Sequence, residues 1–128
     1  MKKLLSLEEL AQLVLAMYLL LKIPQHISLS WLVPTFFLPD VFAIGFLINN
    51  RVGAIMYNLS HFKFLAILFI AIGFFAGSTI FLQAGYIVYA HICFDRTIGY
   101  GLKYVDNPNK THLGFIGKEK NKNIPDTF

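Results

Sequence analysis

Between Leu10 and Phe94 only four side chains carry a formal charge, Lys22, Asp40, Arg51 and Lys63, and the stretches between them are almost wholly apolar. About 20 apolar residues in a helix cross the roughly 30 Å hydrocarbon core of a bilayer. Several stretches here approach or exceed that length, so the chain has to place them somewhere other than in water. Only 14% of the 128 residues are charged, against about 25% in an ordinary soluble domain, which leaves too few polar groups to coat a globule.

The pattern predicts an all-α integral membrane bundle of four helices over about 7–23, 29–48, 52–75 and 80–97, within one transmembrane domain at 1–105. Residues 106–128, with Pro108, Pro125, several Asn and alternating charges, read as a cytoplasmic loop and tail. Ser6 and Glu9 have capping-box spacing and set the first helix start near Leu7. Glu8 and Glu9 break the pattern of a signal peptide, so the N-terminus is expected to be retained. Pro24 ends the first helix. Pro34 and Pro39 each lack a backbone donor, so the second helix should be kinked around 38–40. Trp31 suits the headgroup level.

Four crossings put both termini on one side. That side receives Lys2, Lys3, Arg51, Arg96, Lys103, Lys110, Lys118, Lys120 and Lys122, and the other Lys22. The excess of positive charge makes it the cytoplasmic face of the cell membrane. The lipid bilayer is then the main partner, and the absence of a basic helix face excludes nucleic acid. Gly73 with Gly77, and Ala84 with Gly85, allow close helix approach within the chain or in a homodimer. Cys93 has no second cysteine to pair with and reads as a packing residue.

Polar residues inside the apolar runs carry the functional information. A carboxylate at mid-bilayer costs about 2.5–3.5 kcal/mol on insertion scales, so Asp40 needs a partner and should face the protein interior. Tyr57, Asn58 and His61 share one face of the third helix, and His91 and Asp95, four apart, share one face of the fourth. Asp40 and His61 each lie roughly ten residues, about 15 Å, from the cytoplasmic ends of their helices. The groups therefore meet in the inner half of the bilayer, where Arg96, Lys103 and the loop bearing His112 can close a pocket.

Three readings fit. In the first, Asp40, His61, His91 and Asp95 bind a divalent metal such as zinc, with hydrolysis as the chemistry such an ion supports. In the second, the groups form a hydrogen-bonded polar core of a structural membrane protein, with Asp40 paired to Lys63 or to a histidine. In the third, they relay protons or ions in a coupled transporter, although four helices without an inverted repeat leave little room for alternating access. Arg96 fits a phosphate or phospholipid headgroup, or an anchor at the inner surface. The G-Y-G at 99–101 lacks the strand and third glycine of a dinucleotide loop and reads as the turn that ends the fourth helix. His26 and the Thr111-His112 pair read equally as surface residues. No serine stands in a nucleophile-elbow pattern.

L-P-D at 38–40, R-V-G-A-I-M-Y-N-L-S-H at 51–61, A-H-I-C-F-D-R-T-I-G-Y-G-L-K-Y at 90–104 and T-H-L-G at 111–114 together resemble the domain-of-unknown-function family numbered 4260, over nearly the whole chain. The resemblance implies a small multi-pass bacterial membrane protein with Asp40, Tyr57, Asn58, His61, His91, Asp95, Arg96, Gly99, Gly101, Lys103, Thr111 and His112 at the family's motif positions. It implies no activity. The chain departs from the pattern at V-D-N-P-N-K before Thr111 and at Lys63, and the second departure favours an Asp40–Lys63 ion pair.

Overall fold

The computed structural model describes residues 1–24, 27–104 and 110–116. Its first helix, α1 (Lys2–Leu21), begins five residues before the capping-box start, and Ser6 makes no cap hydrogen bond. The residues K-K-L-L are good helix formers, and the helix runs through Ser6 instead of starting on it. It stops two residues short of Ile23, which precedes Pro24 and is pushed out of helical geometry by the proline ring.

The second expected helix is divided more deeply than a kink. α2 (Leu29–Phe36) gives way at Phe37 to a ten-residue 3-10 helix, Leu38–Leu47. Pro39, lacking an N–H, opens that segment and is buried. The tighter winding stretches the chain. Eight residues at 1.5 Å and ten at about 2.0 Å make roughly 32 Å of helix, close to the roughly 30 Å thickness of a bilayer's hydrocarbon core.

The third expected helix is also two. α3 (Asn50–Ser60), capped by the Asn49 side chain on Val52 N–H at 2.8 Å, ends before His61, and α4 (Lys63–Ala76) starts two residues beyond it. No proline or glycine marks this break. Side chains make it: Ser60 Oγ lies 2.9 Å from the Tyr57 carbonyl and 3.1 Å from the Pro39 carbonyl, while His61 Nδ1 lies 2.9 Å from the same Tyr57 oxygen. Polar side chains that take backbone carbonyls in this way compete with helix continuation. Gly77 then ends α4 in the left-handed conformation at φ 66°.

α5 (Thr79–Thr97) matches its expected span and is capped by Ser78. It packs between α1 and α4, while α3 lies against the 3-10 segment. Leu20, Ile23, Tyr86 and Ile87 form the core where α1 meets α5. Gly73 and Gly85 let α4 and α5 approach closely: a Cβ on Gly73 would sit 2.6 Å from Leu82 Cγ, and one on Gly85 3.0 Å from the Ala66 carbonyl oxygen. Gly77 faces open space, so within the chain it is Gly73 and Gly85 that bring α4 and α5 together.

After α5 the chain turns at Gly99 (φ 98°) and runs back beneath α3. A two-residue antiparallel ladder, β1 (Lys110–Thr111) with β2 (Gly114–Phe115), closes the described part, and Thr111 also bridges to Lys103. Most of the tail expected at 106–128, like His26, lies outside the described residues. Three segments, Lys3–Leu21, Leu29–Leu47 and Asn50–Ala76, are long and apolar enough to cross a membrane.

Candidate metal centre

Each break in the helices delivers one polar side chain. Asp40 sits in the first turn of the 3-10 segment, directly after buried Pro39. His61 occupies the C-cap of α3. His91 and Asp95 project from one face of α5, four residues apart. Ser60, which donates across to the Pro39 carbonyl, ties the Asp40 turn to the His61 turn.

These four side chains meet. His61 Nε2 lies 3.1 Å from His91 Nε2, 3.3 Å from Asp40 Oδ1 and 3.2 Å from Asp95 Oδ2. His91 Nε2 lies 3.2 Å from each of the same two oxygens. All four atoms fall within 4.8 Å of one another, and the group could hold a metal ion. Zinc bonds of about 2.0–2.1 Å in a tetrahedron place neighbouring donors about 3.3 Å apart. Five of the six donor–donor distances here are within 0.2 Å of that.

Hydrogen bonding decides which histidine nitrogens face inward as acceptors. The Tyr57 carbonyl can only accept, so His61 Nδ1 carries a proton; with the ring neutral, its Nε2 presents a lone pair to the cluster. This is the usual arrangement of a metal-ligating histidine, whose second nitrogen donates to a carbonyl. The two Nε2 atoms cannot both carry protons across 3.1 Å. His91 Nδ1 is buried and has no hydrogen-bond partner among the described residues.

The rings are held by aromatic packing: Tyr57 stacks on His61 with centroids 3.9 Å apart, and Phe36 meets His91 edge-on at 5.2 Å. The histidines are buried, at 4% and 1% side-chain exposure, and Asp95 is at 12%, whereas Asp40 is at 48%. The centre is therefore closed on three sides and open beside Asp40.

The remaining expected site residues surround this core. Asn58 does not line it; its amide clamps the Lys103 backbone, donating to the carbonyl at 2.8 Å and accepting from the N–H at 2.6 Å. The Lys103 ammonium lies over the Tyr57 ring at 4.6 Å and the Phe46 ring at 5.3 Å. Burial pushes its pKa down, and the Asp40 and Asp95 charges oppose that shift. Arg96 Nη2 stands 3.5 Å from the His61 carbonyl. His112 holds the turn below, accepting from Leu102 N–H at Nδ1 (2.8 Å). Partial burial of its ring and the Arg96 charge lower its pKa.

The expected Asp40–Lys63 ion pair does not form. The break at 61–62 turns Lys63 towards α1, where its ammonium meets Glu9 Oε1 and Oε2 at 2.9 and 2.8 Å and Gln12 Oε1 at 2.8 Å. Gln12 also accepts from Tyr89 Oη at 2.5 Å. Sequence reasoning missed this second cluster, although Glu9 and Gln12, three apart, share a face of α1.

Residues 2–116 match the family model described as Domain of unknown function (DUF4260). No curated protein and no solved structure matches the chain.

Proposed function

The chain belongs to the DUF4260 family, whose description assigns no chemistry, and from the geometry of its four-residue cluster we propose that it is a membrane-embedded metalloprotein. Asp40, His61, His91 and Asp95 bind one divalent ion, with zinc the best fit and iron or manganese suited to the same two-imidazole, two-carboxylate set. The observation that carries this reading is the set of donor distances, 3.1–3.3 Å, around a histidine whose outer nitrogen is already committed to a carbonyl. Lone pairs that close repel unless a positive charge, a metal ion or a proton, stands among them.

Membrane insertion is supported by the surface. Phe75, Leu47 and Ile80 are 93%, 84% and 77% exposed, and water does not favour such an exterior. From Leu82 to Cys93 no residue of α5 is exposed, so this helix, which carries Gln83, His91, Asp95 and Arg96, lies largely behind α1 and α4 and need not be as apolar as they are. With four crossings the positive-inside pattern puts the termini and the open side of the centre at the cytoplasmic face.

A closed set of four protein ligands is the arrangement of structural zinc. The exposure of Asp40 instead favours an ion that a small ligand can reach, and the ion would polarise water or a carbonyl or phosphoryl oxygen, as in a hydrolase.

Elemental analysis of detergent-purified protein tests the reading. Wild type should carry about one equivalent of metal, and His61→Ala and His91→Ala almost none. Equal trace metal in all three would overturn it, and protein recovered without detergent from the soluble fraction would overturn the membrane assignment.

A further inference from the structure

Lys103 and Arg96 are the two cations next to this centre, and the fold holds one of them in place with unusual care. Asn58 binds both the N–H and the C=O of Lys103. Leu102 N–H is tied to His112, and Thr111 bridges Lys103 from the other side. A lysine that only anchors a helix end at the membrane surface needs no such clamp. Its ammonium rests on the Tyr57 ring, whose opposite neighbour is the His61 imidazole. Arg96 follows Asp95 on α5 and reaches the His61 carbonyl with one N–H group, which leaves most of its five donors unused there.

Both cations are half-buried, and neither has a carboxylate within ion-pair distance among the described residues. Asp40 and Asp95 together neutralise a divalent ion. The surplus is then two positive charges: Arg96, which follows Asp95 and reaches the His61 carbonyl, and Lys103, which feels the charge of Asp40 on the open edge. We propose that this edge binds a phosphoryl group, the anionic head of a phosphate ester, with one oxygen directed to the metal and the others to Lys103 and Arg96. The inference rests on the metal reading and gives that site its substrate class. A planar guanidinium and a point-charge ammonium are the usual pair for such an anion.

Hydrolysis there balances without a further reagent. A water oxygen forms a new bond to phosphorus, the ester P–O bond breaks, and the proton lost by the water ends on the departing alcohol. The ester has two sources, a phospholipid headgroup at the inner surface or a soluble phosphate ester, and the anion chemistry is common to both.

The test uses the full chain in detergent, with zinc content measured on every sample. Inorganic phosphate is titrated calorimetrically into wild type, Lys103→Gln and Arg96→Gln. Wild type should bind phosphate, and each variant should bind at least about tenfold more weakly while keeping its zinc, the effect of losing one charge-assisted hydrogen bond. Unchanged affinity in both variants, or no binding to zinc-loaded wild type, overturns the phosphoryl assignment while the metal reading stands. Absence of zinc from wild type overturns the metal reading, and with it this one. In nanodiscs, loss of phosphate binding when phosphatidate is included assigns the lipid source, and retention assigns the soluble ester.

Discussion

α5 carries two polar clusters on opposite faces, and they are built to opposite rules. Tyr89 and Cys93 look towards α1 and α4, where Lys63 meets Glu9 and Gln12; His91 and Asp95, two positions on and so about 200° round the helix, look towards the 3-10 segment and α3. In the first cluster donors match acceptors: one ammonium against one carboxylate, with an amide oxygen receiving both Lys63 and Tyr89. In the second, two imidazole nitrogens and two carboxylate oxygens crowd together, and a further buried nitrogen has no partner among the described residues. A polar network satisfied internally holds helices together. One that is short of positive charge at its centre requires something from outside.

Chelation should separate the two most sharply. A ligand present at about 1,000 times its dissociation constant stabilises the folded state by about 4 kcal/mol. Removing metal with EDTA, or substituting Asp95→Asn, should therefore lower the unfolding midpoint by an amount corresponding to several kcal/mol, and EDTA should have no further effect on Asp95→Asn. If EDTA leaves the wild-type midpoint unchanged, the His/Asp cluster is satisfied by protons and the contrast between the two faces disappears.

The ion-pair face should respond in the opposite sense. Lys63→Met strands Glu9, at 15% side-chain exposure, without its partner and should cost about 3 kcal/mol, whereas Glu9→Leu combined with Lys63→Met should recover most of that loss. Metal content should be unaffected in both proteins. A denaturation series in detergent reads the stability. A double variant as weak as the single one would mean that the network does more than neutralise itself.

How far these faces were legible in the sequence depended on the range of the forces involved. His91 and Asp95 could be paired from helical spacing alone, and Asp40 and His61 stood out because imidazole and carboxylate are costly within apolar runs. Their convergence followed from depth along the helices. The break at Ser60, His61 and Phe62 was not legible, because it depends on the Pro39 carbonyl of a different segment accepting from Ser60. That same break points Lys63 at α1, so the Asp40–Lys63 pair predicted from a continuous helix could not form. Glu9 and Gln12 were visible as polar residues, but their partner depended on how α1 is rotated against α4 and α5, which local pattern does not specify. The 3-10 winding of Leu38–Leu47 was signalled by Pro34 and Pro39 only as a disruption.

The smallest expected effect concerns the turn that presents Lys103, and it works through pH. His112 accepts the Leu102 N–H at Nδ1, which an imidazolium cannot do. Its pKa in the folded chain lies below the ordinary value, through partial burial and the Arg96 charge. The sign follows from linkage: the folded state resists the proton that the unfolded state accepts, so stability is level above about pH 6.5 and declines as the pH falls through the free value towards the folded one. Because part of the ring faces water, the loss should stay under about 1 kcal/mol. Hydrogen exchange at the Leu102 amide should quicken on acidification in wild type and be fast and nearly pH-independent, after correction for intrinsic exchange, in His112→Ala. Zinc measured on the same samples separates this from protonation of the centre. Loosening of the turn while zinc is retained would mean that anion binding weakens before the metal is lost, whereas simultaneous loss would place His112 within the centre's own titration and merge the two layers.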